Sequence, residues 1–116
     1  MSSPQLKNRL RSNRKILALS QDEVAFLMGA RGGAKISRYE RSAREPSLRT
    51  ALAFEVIYKR AASELFDDLY RTVEKEVAQR AKILNYRKDR KPKGIAARKR
   101  ETLMALANIK PINSIS

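Results

Sequence analysis

Cysteine and histidine are both absent from this 116-residue chain. Without thiols there is no disulfide and no thiolate ligand for a zinc finger, and without imidazole the commonest general base is missing. Carboxylates are scarce too, 12 Asp and Glu against 26 Lys and Arg. None of them forms a pair that resembles a catalytic site, and Asp67-Asp68 is explained by its place at a helix start. No enzyme activity, metal or cofactor is therefore expected. No apolar run approaches the roughly 20 residues of a membrane span, and Met1 to Leu19 lacks the apolar stretch of a secretory signal. The expected setting is the cytoplasm, with no membrane partner.

What the chain has in excess is positive charge. Its net charge of +14 points to a polyanion, nucleic acid first and an anionic membrane surface second. At 42% hydrophobic it can bury a core, and its length allows one domain plus an extension. The charge falls in three blocks. Residues 1–60 hold 13 basic and 5 acidic groups, residues 61–78 hold 2 and 5, and residues 79–116 hold 11 and 2. An acidic block between two basic ones separates two polyanion-facing surfaces.

After a polar lead over residues 1–4, a helix is expected from Gln5, with Leu6, Leu10 and Leu17 on one side, ending near Leu19. Ser20 and Glu23 have the spacing of a capping box, which starts a second helix carrying Val24, Ala25, Leu27 and Met28 inward. Gly29 is a good residue for ending it. Residues 30–33 form a glycine-containing turn, and a short helix follows to about Arg41. Ser42 to Pro46 is a loop, and Ser47 caps a fourth helix patterned on Leu48, Ala51, Leu52 and Val56. Ser63 caps a fifth. Leu65, Leu69, Val73, Val77, Ala81 and Leu84 then continue as one long helix. Residues 87–94 read as a basic linker, Ile95 to Ile109 as a last helix grouped on Leu103, Leu106 and Ala107, and residues 111–116 as a tail. The expected class is all-α, and there is no internal repeat.

The short helix over residues 34–41 is the element that the rest is built around. Ile36 and Tyr39 lie three apart and pin it to a scaffold, which so short a helix requires. Lys35, Arg38 and Arg41 spread over its outward surface. Two short helices joined by a tight turn have the helix-turn-helix arrangement, whose second helix enters the DNA major groove.

The ordered set Arg14, Leu17 to Ala25, Ile36 to Arg41 and Pro46-Ser47-Leu48 resembles the Cro/lambda-repressor family, also called the XRE family, over about Leu6 to Leu69. The resemblance implies a five-helix lambda-repressor-like DNA-binding domain over residues 1–70, and a helical extension with a basic linker and tail over residues 71–116. It implies a sequence-specific transcriptional regulator of double-stranded DNA, with repression the expected action, working as a homodimer on a palindromic operator. The alternative is an antitoxin or mobile-element accessory protein that binds a protein partner as well as DNA. One departure stands out: six residues separate Gly29 from Ile36, where the family usually has five.

Carried over position by position, Gln21 matches the family glutamine that touches backbone phosphate and braces the recognition helix. Arg31, Gly32, Gly33, Ala34 and Lys35 occupy positions that face base edges, where Arg or Lys reaches guanine and Ala reaches a thymine methyl. Lys35 is either a base reader or a phosphate contact, and so is Arg38. Arg41 and Arg44 are expected on phosphates. Arg14 and Glu40 match the family's structural ion pair. Ile36, Leu17, Val24, Met28, Leu52, Val56 and Leu65 are expected in the core. The apolar stripe of the long helix is either a dimer interface or, in its first two turns, packing against its own domain. Residues 80–100 carry ten cations against Asp89 alone. Phosphate contact or an arm that orders on DNA is the reading here, with RNA binding and plain solubility as the alternatives.

Overall fold

A side chain, that of Asn8, sets where the first helix begins. Its carboxamide oxygen accepts the Leu10 N–H at 3.0 Å, while its nitrogen donates to the Tyr39 carbonyl at 2.9 Å and to the Ser42 hydroxyl at 3.1 Å. Asn competes in this way with helix hydrogen bonding. The expected helical start at Gln5 is thus corrected over residues 7–9, whose backbone turns elsewhere. The Lys7 amide donates to the Asp68 carboxylate at 3.0 Å, and the Arg9 amide to the Leu65 carbonyl at 2.8 Å.

The computed structural model describes residues 7–86 and 94–107. The polar lead, the first two residues expected in α1, nearly all of the basic linker, the end of the expected last helix and the tail lie outside them. The described residues form seven helices and no strand: α1 (Leu10–Ile16), α2 (Gln21–Leu27), α3 (Gly33–Glu40), α4 (Leu48–Tyr58), α5 (Ala62–Leu65), α6 (Asp67–Tyr86) and α7 (Ile95–Ala107). The protein is all-α. It divides into two compact units, Met1–Tyr70 and Arg71–Ser116.

Local chemistry fixes most boundaries in the first unit. At the start of α2, the Ser20 hydroxyl accepts the Glu23 N–H at 3.0 Å and the Glu23 carboxylate accepts the Ser20 N–H at 2.8 Å, a complete capping box. The helix closes at Gly29, where φ is +76°. There the Ala30 amide reaches back to the Ala25 carbonyl at 2.8 Å and the Gly29 amide to that of Phe26 at 3.0 Å, a Schellman ending that favours glycine. Ser47 caps α4 through the Thr50 N–H at 3.2 Å. Ser63 does not cap the fifth helix as expected. Glu64 does so from inside, accepting the Ala61 N–H at 3.2 Å, and Glu55 accepts the Ala62 N–H at 3.0 Å. The helix also does not run on unbroken. The chain bends at Phe66 (φ −117°, ψ 51°), which lets the adjacent Leu65 and Phe66 both turn into the core.

That core gathers Leu10, Val24, Ala25, Ile36, Tyr39, Phe54, Tyr58 and Leu65, with Leu19, Met28, Ala30, Ile57 and Phe66 packed at its margin. α3 packs on α1 and α2, α1 on α4, and α4 on α5. Phe54 is central: its ring lies 5.8 Å from Tyr39 edge-on, 5.8 Å from Tyr58 stacked and 6.1 Å from Phe66. Four core expectations need correction. Leu52 and Val56 are exposed, because α4 is apolar nearly all round and the larger Phe54 and Tyr58 take the inward stripe. Leu17 is exposed because Ala18, at φ +59°, turns the chain so that Leu19 enters instead. Leu27 is also exposed.

The Tyr58 hydroxyl is buried and finds no hydrogen-bond partner among the described residues. Burial, then the nearby Glu40 charge, push its pKa up from 10.0 to about 12, against a smaller opposing effect of Arg14. Below pH 10 the hydroxyl is neutral in both folded and unfolded chains. Above pH 10 only the unfolded chain ionises freely, so stability falls as pH rises from 10 toward 12, by on the order of 2 kcal/mol for this group. Tyr58→Phe should therefore match or exceed the parent at pH 7, because it buries no unpaired hydroxyl. It should also show a shallower alkaline decline. Urea midpoints of the two proteins at pH 9 and pH 11.5 decide it, and parallel declines would refute the assignment.

In the second unit Ala81 and Leu103 are buried. α7 opens after Gly94, at φ +57°, with the Arg98 amide donating to the Gly94 carbonyl at 3.1 Å. Leu106 and Ala107 are half-buried beside Leu103, as their grouping implies. On α6, Val73, Val77 and Leu84 stay substantially exposed.

Candidate nucleic-acid interface

α3 is eight residues long, too short to persist alone in water. Its inward residues Gly33, Ile36 and Tyr39 are buried, at intervals that define one helical face. Its other face carries Ala34, Lys35 and Arg38, all exposed.

Both ends of α3 are anchored. At the start no side chain of its own caps it, and the Asp22 carboxylate of α2 accepts the Gly33 N–H at 2.8 Å. This brings the helices so close that a Cβ on Gly33 would lie 2.7 Å from the Asp22 carboxylate and 2.9 Å from the Gln21 Cβ. The carboxylate can swing away, but the Gln21 Cβ is fixed to the backbone. Gly33→Ala should therefore force the helices apart and cost about 1–3 kcal/mol. Thermal unfolding of the variant tests this, and an unchanged midpoint would show that the approach is not needed.

At the far end, Glu40 is held from two elements. Its Oε2 accepts Arg14 Nε at 2.6 Å, and its Oε1 accepts Arg14 Nη2 at 3.2 Å and Gln21 Nε2 at 3.0 Å. A third guanidinium bond, Arg14 Nη1 to the Leu19 carbonyl at 3.0 Å, anchors the arginine to the turn before α2. Only 11% of the Arg14 side chain and 3% of the Glu40 side chain meet solvent. The hydrogen bond that Arg14 donates to Glu40 raises the Arg14 pKa, outweighing the lowering effect of burial. Such a fork is strong because it is bidentate and charge-assisted. The ion pair expected between these two positions is formed, and Gln21 joins it.

Around this lock opens a cleft of about 530 Å³ lined by Arg11, Arg14, Ser20, Gln21, Ser37 and Arg41, with Glu40 among them. Arg41 Nε donates to the Ser37 hydroxyl at 3.3 Å. Beyond the Arg14–Glu40 pair, whose charges match, the cleft is left with the two guanidiniums of Arg11 and Arg41, a net positive lining.

The structure places the sequence-derived site residues in three groups. Ala34, Lys35 and Arg38 share the outer face of α3, and Gln21 and Arg41 edge the cleft beside it. Arg31 and Arg44 stand exposed in the segments before and after α3. Gly33 is buried against α2 with its amide committed to Asp22, so it shapes the face from beneath. Sequence reasoning did not single out Arg11 or the capping role of Asp22. A cation at position 11, three residues before Arg14 and so one turn away, was the available signal for the first. Nothing local signals the second. Among the described residues there is no cluster that could hold a metal ion, and no helix is long and apolar enough to cross a membrane. Comparison with family models, with curated proteins and with solved structures finds no match to this chain.

Proposed function

We propose that residues 1–70 form a helix-turn-helix domain of the five-helix Cro/lambda-repressor type, which binds double-stranded DNA with α3 in the major groove. The observation that carries this reading is the construction of α3. Its inner face is buried, both its ends are locked to α1 and α2, and its outer face is left to exposed Lys35 and Arg38. The protein then acts as a homodimeric transcriptional regulator in the cytoplasm, a repressor by the family pattern. Affinity comes largely from cations on phosphates and specificity from residues 31–38 on base edges.

Selection of bound duplex from a random pool, at two salt concentrations, tests this. An enriched inverted repeat with half-sites about 34 Å apart is expected. Tight binding with no enriched sequence, fading steeply with salt, would leave charge as the whole explanation and overturn the reading. Single substitutions then separate the roles. Arg44→Ala should weaken all duplexes alike and lower the salt slope by about one unit, while Arg38→Ala should cost roughly 1–3 kcal/mol on the selected site and relax preference at one base pair. An unchanged ratio of selected to random duplex for Arg38→Ala would remove that residue from base reading.

A further inference from the structure

On the duplex-binding reading above, we infer that Arg11 of α1 holds a backbone phosphate in the cleft beside α3, together with Arg41 and Gln21. That reading leaves α1 a structural part only, through Arg14, and gives Arg11 none.

Arg11 and Arg14 lie three residues apart in α1, on one side of the helix. Arg14 is spent on Glu40 and on the Leu19 carbonyl. Arg11 is exposed, and among the described residues its guanidinium has neither a hydrogen bond nor a carboxylate partner. From α3, Arg41 commits only Nε, to the Ser37 hydroxyl, which steadies the side chain and leaves both Nη groups unpaired among the described residues. With three guanidiniums and one carboxylate in the lining, two positive charges stay unmatched. Glu40 repels an anion little, because only 3% of its side chain meets solvent and it already accepts three bonds. Gln21 Nε2 gives one proton to Glu40 and keeps its second for an incoming oxygen. Forked guanidiniums and a carboxamide are donors matched to a phosphate.

The place of the cleft selects a phosphate of the duplex. A helix with its side chains is about 10–12 Å across and the major groove is about 12 Å wide, so a seated helix has a phosphate strand along each flank. Ser37 and Arg41, four apart on α3, put the cleft on one such flank. A free phosphate is the other source of the same chemistry.

The salt slope of binding to a random duplex reads this contact without needing an operator. Arg11→Gln should lower the slope by about one unit and weaken binding about eightfold at 0.1 M salt, with an unchanged urea midpoint. Arg11→Lys should keep the slope. Arg60→Gln, which removes an exposed cation outside the cleft, should leave it unchanged. On the selected duplex, one neutral methylphosphonate position should cost the parent that same factor and cost Arg11→Gln nothing further, the mark of a direct pair. An unchanged slope for Arg11→Gln overturns the assignment. So does an equal fall for Arg60→Gln, which would mean bulk charge alone. Binding of inorganic phosphate that Arg11→Gln abolishes while the duplex slope holds would give the cleft to a free anion and overturn it too. The two readings fail separately. A chain that selects an operator with a slope indifferent to Arg11 refutes this site alone, whereas a slope that falls by one unit in a chain that selects no sequence refutes base reading alone.

Discussion

Glu40→Ala is expected to destabilise the helical domain by roughly 3 kcal/mol, because it leaves the Arg14 guanidinium buried without its counter-charge. The loss exceeds that of a surface ion pair, commonly below about 1 kcal/mol, because both side chains are nearly closed to water and the carboxylate collects three hydrogen bonds. Gln21 loses its partner at the same time. A urea transition with a lower midpoint and an unchanged slope is the signature of lost stability without a change in compactness. The pair Arg14→Met with Glu40→Met separates charge from volume, since it removes both charges and leaves apolar side chains. Much of the stability should return in that variant. Binding to the selected duplex should not return in full, because Gln21 would still lack the carboxylate that orients it. A drop of under about half a kcal/mol for Glu40→Ala would mean that water reaches the pair and that α3 is held by packing alone.

Phe54→Ala should have the larger effect on folding, about 3–5 kcal/mol. Phe54 is fully buried and its ring touches three other aromatic rings drawn from α3, α4 and the bend between α5 and α6. Truncation removes contacts to all three at once and leaves a void that they cannot jointly fill. A domain of this size has a total stability of about 5–15 kcal/mol, so the variant should be largely unfolded near physiological temperature. Phe54→Leu should retain more than half of the lost stability because it keeps most of the volume. If the two substitutions cost the same, retained volume recovers nothing and the loss lies in the ring contacts themselves, whereas a cost below about 1 kcal/mol for Phe54→Ala would show that Phe54 is not the centre of the core.

Features determined by a few neighbouring residues were legible in advance. The Ser20 and Glu23 capping box, the Ser47 cap and the Gly29 ending all lie where the local pattern places them, since each is settled within five residues of chain. The Arg14–Glu40 pair spans 26 positions and was reached through family resemblance, not through periodicity. What the pattern failed to resolve has physical causes. α4 is apolar on nearly every side, so its sequence permits two inward stripes, and the aromatic volume that chooses Phe54 and Tyr58 matters only once other helices press on it. A single left-handed residue, Ala18, exchanges Leu17 for Leu19, and an alanine carries no signal for that conformation. Asn8 and Asp22 read as ordinary polar residues because their partners, Tyr39 and Gly33, come from distant parts of the chain. The exposed cations of the candidate interface were legible as charge. The division into base readers and phosphate contacts that is proposed for them depends on a ligand surface that no property of the free chain specifies.

The anchoring of α3 at both ends has a mechanical consequence. A rod pinned at its first residue and at its last keeps neither pitch nor yaw, and retains only roll about its own axis. Roll is stopped by Ile36 and Tyr39, which sit in the core like keys in a slot. Every degree of freedom of α3 is thus fixed by residues that do not belong to its outer face. Ala34, Lys35 and Arg38 can then be exchanged with little effect on orientation, since exposed substitutions usually change stability by within about half a kcal/mol. Under the proposed DNA-binding role, the fold separates the part that aims from the part that reads, and a new preference can be written on α3 without rebuilding its mounting.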